Sequence, residues 1–427
     1  MISTSLPKGI HHCIQMALSA IHLPLNYQVH FWDGTSLKWQ DTNSHYPPLT
    51  VTIHHPGVIR SLILKRDPLV LADAYLNGYL DIDGDVEALV LLFRNLPSLQ
   101  ITTAQKLRLW IEALSLPSLP TAEAAEAQQR QVAASPERDR AAIQHHYDVG
   151  NDFYQLWLDP HLVYTCAHYE TPDISLAEAQ QAKLDLICRK LRLQPGETLL
   201  DVGCGWGALL RWAVKHYDVK GYGITLSEEQ VAFNQKMIET EGLEDQLRVE
   251  LRHYCELPDQ AQYDKLVAIG IIEHVGQKNY PLYFNRMLSL LKPGGLFLNH
   301  GITATREGYG RTIGERFINR YFFPNGDLVR LSTILTAVED SGWEVVDVDS
   351  WRLHYAKTLR HWAENFDRAI DQVAGLIGER QILFWRLYFI GCALAFEQNA
   401  TGLYQVLLRR QGDREWNLPL TRDEWLV

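Results

Sequence analysis

The feature that most narrows the fold is the run Thr198-Leu-Leu-Asp-Val-Gly-Cys-Gly-Trp-Gly-Ala208, followed at once by a helical pattern from Leu209 to His216. A short apolar run holding an acid near its end reads as a buried strand. The three glycines after it permit a tight turn and a close backbone approach to a ligand, where a Cβ would clash. The spacing is GxGxG rather than the dinucleotide GxGxxG, and no lysine follows to make a phosphate-binding loop.

Strand-like and helical runs alternate around this segment. Strands are predicted at 198–202, 220–224, 247–251, 263–269, 295–299 and 343–349, and alternation of this kind implies an α/β fold with a mainly parallel sheet and helices on both faces. Ligands in such sheets bind beyond the carboxyl ends of the strands. There the combination of strand, acid, triple glycine and helix points to S-adenosylmethionine, with Gly203 and Gly205 giving access and Asp201 receiving its amino group. The second strand runs into Thr225-Leu-Ser-Glu-Glu-Gln230. Thr225 stands where a nucleotide fold often places an acid for the ribose. Gln230 reads either as a cofactor contact or as the partner of Ser227 in an S-x-x-Q capping box. Tyr254, after the third strand, is placed to stack beside an adenine or to pack as an ordinary aromatic.

Three more polar side chains fall beyond strand ends: Glu273, His300 and Tyr355. Singly, each has a plain reading as a helix cap, a satisfied core histidine and an amphipathic wall residue. Placed together on the edge that carries the glycine loop, they form a candidate site. Upstream, 145–154 and 162–169 are rich in histidine and aromatic residues and contain Cys166, a candidate nucleophile or, more simply, a small buried hydrophobe.

At 427 residues the chain is long enough for two or three domains. A low-apolar, Pro/Ala/Glu/Gln-rich stretch divides it into a smaller α+β domain (1–117), a linker (118–142) and the α/β domain (143–427). In the first domain 27–39 and 49–64 alternate like strands, 70–93 reads as helical, and Ile10, Ile14, Ala17, Leu18 and Ile21 make a helical stripe. That stripe packs on the domain's own core or touches a membrane. A hydrophobic content of 46% with 21% charged residues is that of a soluble globular protein. No run of apolar residues is long enough to span a bilayer, so membrane contact is expected to be peripheral, and no export signal is seen, so a cytoplasmic address is expected. The net charge of −11 argues against nucleic acid as a partner. Six cysteines without CxxC spacing predict reduced thiols and no metal site.

DVGCGWG, TLSEEQ, EHVGQKNY, INRYFFPNG and HYAKTL, in this order over about 290 residues, resemble the cyclopropane fatty acid synthase family. Asp67-Pro, Ala74-Tyr-Leu-Asn-Gly and Asp81-Ile-Asp-Gly-Asp resemble the extra domain of its phospholipid-acting members. The resemblance implies a Rossmann-like class I methyltransferase fold with a seven-stranded sheet, S-adenosylmethionine and bicarbonate as cofactors, and an unsaturated phospholipid as substrate. It also implies a homodimer and contact with the inner face of the membrane. Cys166, Glu273, His300, Tyr355 and the backbone around Ile302 match the family's bicarbonate site, and Tyr164, Thr165, Asp201, Gly203, Gly205, Thr225, Leu226 and Gln230 match its cofactor contacts. The acyl tail is expected among Tyr321, Phe322, Phe323, Trp362, Phe384, Trp385, Tyr388 and Phe389. The sequence departs from the common pattern at Ile272 (Phe), at Gly301 (Thr), and at His253 and Cys255, where an acid often lies nearby.

The implied reaction adds a methylene unit to a cis double bond to give a cyclopropane. A methylene- or methyl-branched product, a non-catalytic lipid-binding protein, and methylation of a soluble metabolite are the competing readings.

Overall fold

The computed structural model describes residues 5–19 (backbone only for 17–19), 25–41, 44–94, 102–120, 150–324, 326–414, 416 and 418–422. The expected linker lies almost wholly outside these, as do His145 and His146. Two compact units are present. One comprises Met1–Gln131 together with Gly378–Gly391, the other Val132–Ile377 with Cys392–Val427.

The first unit holds strands β1 (Tyr27–His30), β2 (Ser36–Trp39), β3 (Leu49–Ile53) and β4 (Leu80–Asp83) in the order β2-β1-β3-β4. Its helices are α1 (Lys8–Ser19), α2 (Gly57–Lys65), α3 (Leu69–Leu76), α4 (Val86–Arg94) and α5 (Thr103–Leu114). The strand pattern expected through residue 64 ends at Ile53, because Pro56 and Gly57 open a helix there. The expected helix over 70–93 is interrupted by β4, which Gly78 and Gly84 bracket with positive φ. Ile10 is buried in this unit's core and Ile14 packs against that core, so for these two the core reading of the first stripe holds.

In the second unit a seven-stranded sheet has the order β10-β11-β9-β8-β5-β6-β7 among the described residues. Its strands are β5 (Thr198–Val202), β6 (Lys220–Thr225), β7 (Leu247–Leu251), β8 (Tyr263–Ile269), β9 (Leu291–Ala304), β10 (Trp343–Ser350) and β11 (Thr401–Arg410). Only β11 is antiparallel to its neighbours, β9 and β10. Alternation along the central strands explains why both faces are covered: Leu199 and Val267 enter one apolar cluster, Leu200, Val202, Leu266 and Ala268 the other. The sequence order reverses between β5 and β8, so the crevice expected for a ligand opens beyond the ends of those two strands.

Helices α6 (Asn151–Gln155), α7 (Leu176–Lys190), α8 (Ala208–Tyr217) and α9 (Glu228–Glu241) precede β7, and α10 (Ile272–Val275) and α11 (Tyr280–Leu290) precede β9. Then follow α12 (Ile313–Tyr321), α13 (Leu331–Asp340), α14 (Arg352–Arg368), α15 (Ile370–Ile377) and α16 (Glu379–Glu397). Ser175 and Glu178 start α7 with a reciprocal capping box. The first part of α16 belongs to the first unit. Tyr75 stacks on Phe384 at 6.2 Å, and Arg380 pairs with Asp81 at 3.1 Å. Phe384, Trp385, Tyr388 and Phe389, expected in the α/β domain as walls for an acyl tail, therefore cluster with the first unit instead.

Candidate active site

The glycine loop closes the end of β5. Gly203 has φ +80°, a conformation that favours glycine, and a Cβ there would lie 2.1 Å from Ile271 Cδ1 in the loop after β8, so a larger residue would strain the turn and displace that side chain. Asp201 is buried, and burial raises its carboxyl to about 7 against the pull of Lys183. Lys183, itself fully buried on α7, donates to Thr165 Oγ1 at 3.0 Å. Burial lowers its ammonium to about 8, opposed by Cys166, Asp159 and Asp201.

At the end of β6, Thr225 Oγ1 donates to Gln230 Oε1 at 2.6 Å, while Ser227 Oγ accepts the Gln230 amide at 3.3 Å. Only half of the expected capping box forms, because the Gln230 side chain turns to Thr225. Leu226 is buried beside them. Tyr254 sits in a turn after β7 with its ring edge-on to Tyr283, at 5.4 Å between centroids.

The turn after β8 clasps β9, which runs on past His300, so that His300 lies within this strand rather than beyond its end as expected. The Gly270 amide donates to the His300 carbonyl at 2.9 Å, and the Ile302 amide to Glu273 Oε1 at 2.6 Å. The amide of Ile302 is thus engaged in holding the carboxylate. Among the described residues Glu273 Oε2 is buried with no hydrogen-bond partner. Burial raises this carboxyl to about 7, with the Ile302 amide pulling the other way. His300 faces Gln405 across the β9–β11 ladder, with Nδ1 3.1 Å from Gln405 Nε2, and its Nε2 is also buried without a partner among the described residues. Burial, then Lys183 and Lys190, hold the imidazole neutral well below its usual range.

Trp351 joins the remaining residues. Its carbonyl accepts the Tyr355 amide at 3.1 Å and lies 3.9 Å from Cys166 Sγ, and its ring meets His300 edge-on at 5.4 Å. Cys166 also donates to the Ala167 carbonyl at 3.2 Å. Burial pushes its thiol far up, which favours the neutral form and the reading of Cys166 as a small buried group over that as a nucleophile. Tyr355 contacts Trp362 at 5.9 Å, and Trp362 contacts Tyr164 at 5.2 Å, so one aromatic wall connects the two sets of predicted residues. Of the expected acyl-chain residues Trp362 stands in this wall; Phe322 is buried near the end of α12, and Phe323 contacts His274 at 5.8 Å.

Sequence reasoning missed Trp351, Lys183, Lys190 and Gln405. A lysine on the buried face of an otherwise amphipathic helix was the available signal for the first two cations. Gln405 had none, because its strand was not foreseen.

A sequence profile described as "Mycolic acid cyclopropane synthetase" matches residues 134–406, more than half of the chain. The chain belongs to this family. With the family come the class I methyltransferase fold and the S-adenosylmethionine-dependent enzyme class. A second profile, described as a domain of unknown function, matches residues 15–99. The Pseudomonas putida protein named "Probable fatty acid methyltransferase" is 39% identical over 96% of this chain and 98% of its own length. The Escherichia coli K12 protein named "Cyclopropane-fatty-acyl-phospholipid synthase" is 38% identical over 62% of this chain and 66% of its own. Among solved structures, mycolic acid cyclopropane synthase CmaA1 complexed with SAH and CTAB superposes with a TM-score of 0.61, at 34% identity over 66% of this chain and 100% of that one.

Proposed function

We propose that this enzyme transfers a methylene unit from S-adenosylmethionine to the cis double bond of an unsaturated acyl chain in a phospholipid, giving a cyclopropane, with bicarbonate as general base. One observation carries the reading: among the described residues two buried polar atoms, Glu273 Oε2 and His300 Nε2, lack partners where the turn after β8 is clasped to β9. Buried polar atoms are ordinarily paired, and an acceptor and a donor left over on adjoining segments can be satisfied together by one bound ion. A carboxylate acceptor and an imidazole N–H donor suit a small anion that carries one hydroxyl and bare oxygens, as bicarbonate does. Asp201, Gly203, Gly205, Thr225 and Gln230 suit the cofactor.

When bound, the cofactor supplies a sulfonium methyl and bicarbonate the base that removes a proton from it after transfer to the alkene. The protein's own contribution is alignment and exclusion of water. The Ile302 amide fixes one oxygen of Glu273 and leaves the other turned to the ligand. The Tyr164–Trp362–Tyr355 wall excludes water that would trap a carbocation. Neutral Cys166, held between backbone carbonyls, closes the site without offering a competing nucleophile.

The phospholipid assignment is supported by the name of the Escherichia coli relative and by the presence of a first domain. Within that domain α5 exposes Leu107 (58%), Trp110 (47%), Ile111 (56%) and Leu114 (42%). This i, i+3, i+4, i+7 stripe supports peripheral membrane contact. No described helix is long and apolar enough to cross a membrane. The name of the Pseudomonas putida relative favours a second reading, a methyl- or methylene-branched product from the same double bond.

The test is incubation with methyl-labelled cofactor and unsaturated phospholipid vesicles, followed by NMR of the product. Upfield cyclopropane protons support the first reading, and olefinic or branched-methyl protons the second.

A further inference from the structure

Lys190, in the last turn of α7, donates to Gln405 Oε1 at 2.7 Å and to Asp349 Oδ2 at 2.6 Å. Asp349 Oδ2 also accepts Trp351 Nε1 at 2.8 Å, so the carboxylate that balances the lysine is itself fixed. A lysine ammonium can only donate. Its contact therefore settles which end of the Gln405 amide is which: Oε1 faces Lys190, and the NH2 faces His300 Nδ1 at 3.1 Å. An NH2 can only donate, so Nδ1 must accept. A neutral imidazole with a bare Nδ1 carries its proton on Nε2, the atom left without a partner among the described residues. Gln405 and His300 are 1% and 2% exposed, so water does not compete for this arrangement.

We propose that Gln405 is a positioning residue for the reaction: oriented by Lys190, it holds His300 as the Nε2–H tautomer, so that Nε2 is a standing donor to the anion that also meets Glu273. This rests on the anion site proposed above. The relay also explains why Lys190, near His300, does not make the site a plain cation pocket. Lys190 is neutralised by Asp349, and its polarity reaches the site only as a directed N–H. A doubly protonated His300 would set an Nδ1–H against the Gln405 NH2, so the ring stays a neutral donor.

The experiment is 15N NMR of histidine-labelled enzyme without substrate, with the His300 resonances assigned by their loss in His300→Asn, before and after adding bicarbonate. The expected result is a protonated Nε2, an unprotonated Nδ1, and a shift of the Nε2 signal with bicarbonate. In Gln405→Glu a carboxylate replaces the donor and still accepts from Lys190, so the proton moves to Nδ1. Then kcat falls about 10- to 100-fold, in the range of lost supporting hydrogen bonds at active sites, with KM for cofactor and lipid unchanged. A protonated Nδ1 in the wild type, or a Gln405→Glu enzyme with unaltered tautomer and kcat, overturns the relay. A correct tautomer whose signal ignores bicarbonate overturns the anion site and with it this role for Gln405, which separates the two failures. The wild-type spectrum decides the tautomer even where the variant does not fold.

Discussion

Ile272 Cγ2 lies 2.2 Å from the position that a Cβ on Gly301 would take. Two of the departures from the commoner sequence pattern are thus one packing solution: the branched side chain before Glu273 fills the space that a larger residue after His300 would need. Gly301→Ala is expected to cost about 1–3 kcal/mol by overpacking. Made in an Ile272→Ala background, which opens that space, the same methyl should cost less than this or stabilise. Urea denaturation of the four proteins measures the coupling, and strict additivity would refute the pairing.

As the proposed acceptor of the cofactor's amino group, the Asp201 carboxyl is expected to give cofactor binding a pH dependence. Its folded value of about 7 lies above the ordinary 3.8 because of burial. The ligand-free protein therefore holds a proton there below about pH 7, and that proton must leave for the carboxylate to receive an ammonium. Affinity should rise as pH climbs towards about 7 and level off above it, with proton release visible as a buffer-dependent heat in calorimetry. The same shift makes Asp201 favour the folded state fully below pH 3.8, a contribution lost as pH rises through about 7. Asp201→Asn should abolish both slopes.

Cys166 and Cys255 should separate cleanly in thiol labelling. Cys166 is buried and its thiol pushed far up, whereas Cys255 is exposed. Under native conditions iodoacetamide should modify Cys255 and spare Cys166, as read by peptide mass spectrometry. Rapid labelling of Cys166 would contradict the closed, neutral site described here.

Much of the α/β unit was legible because a parallel sheet writes itself as apolar runs between helical patterns, and because the glycine loop announces which edge binds ligand. Six of the strands lay where those runs predicted, with β9 longer at both ends. β11 was missed: Thr401–Arg410 sits next to a long helix and carries Gln405 and Arg409 among its apolar residues, which blurs a buried strand. Topology placed Glu273 after β8 and Tyr355 after β10, but put His300 past a strand that in fact runs on to Ala304. Their partners could not be placed, since a lysine on α7 meeting a glutamine on β11, 215 positions away, is a product of packing. The aromatic run in α16 misled for a related reason: composition says that such a helix is buried, but not against which unit.

Replacing Glu273 by Gln keeps the shape and the contact with the Ile302 amide while removing the acceptor charge. Turnover should fall by about 10²–10⁴, the usual contribution of a positioned proton-transfer group, with cofactor affinity by calorimetry unchanged. An equal loss of cofactor binding would place the residue in the wrong half of the site.

The most direct test of the central claim, that Glu273 Oε2 and His300 Nε2 together hold an anion that acts as the base, is the turnover of wild-type enzyme on unsaturated phospholipid vesicles in buffer stripped of carbon dioxide, with bicarbonate then added back. A rate that drops on stripping and recovers in a saturable way on addition is the predicted result. An undiminished rate in the stripped buffer would contradict it.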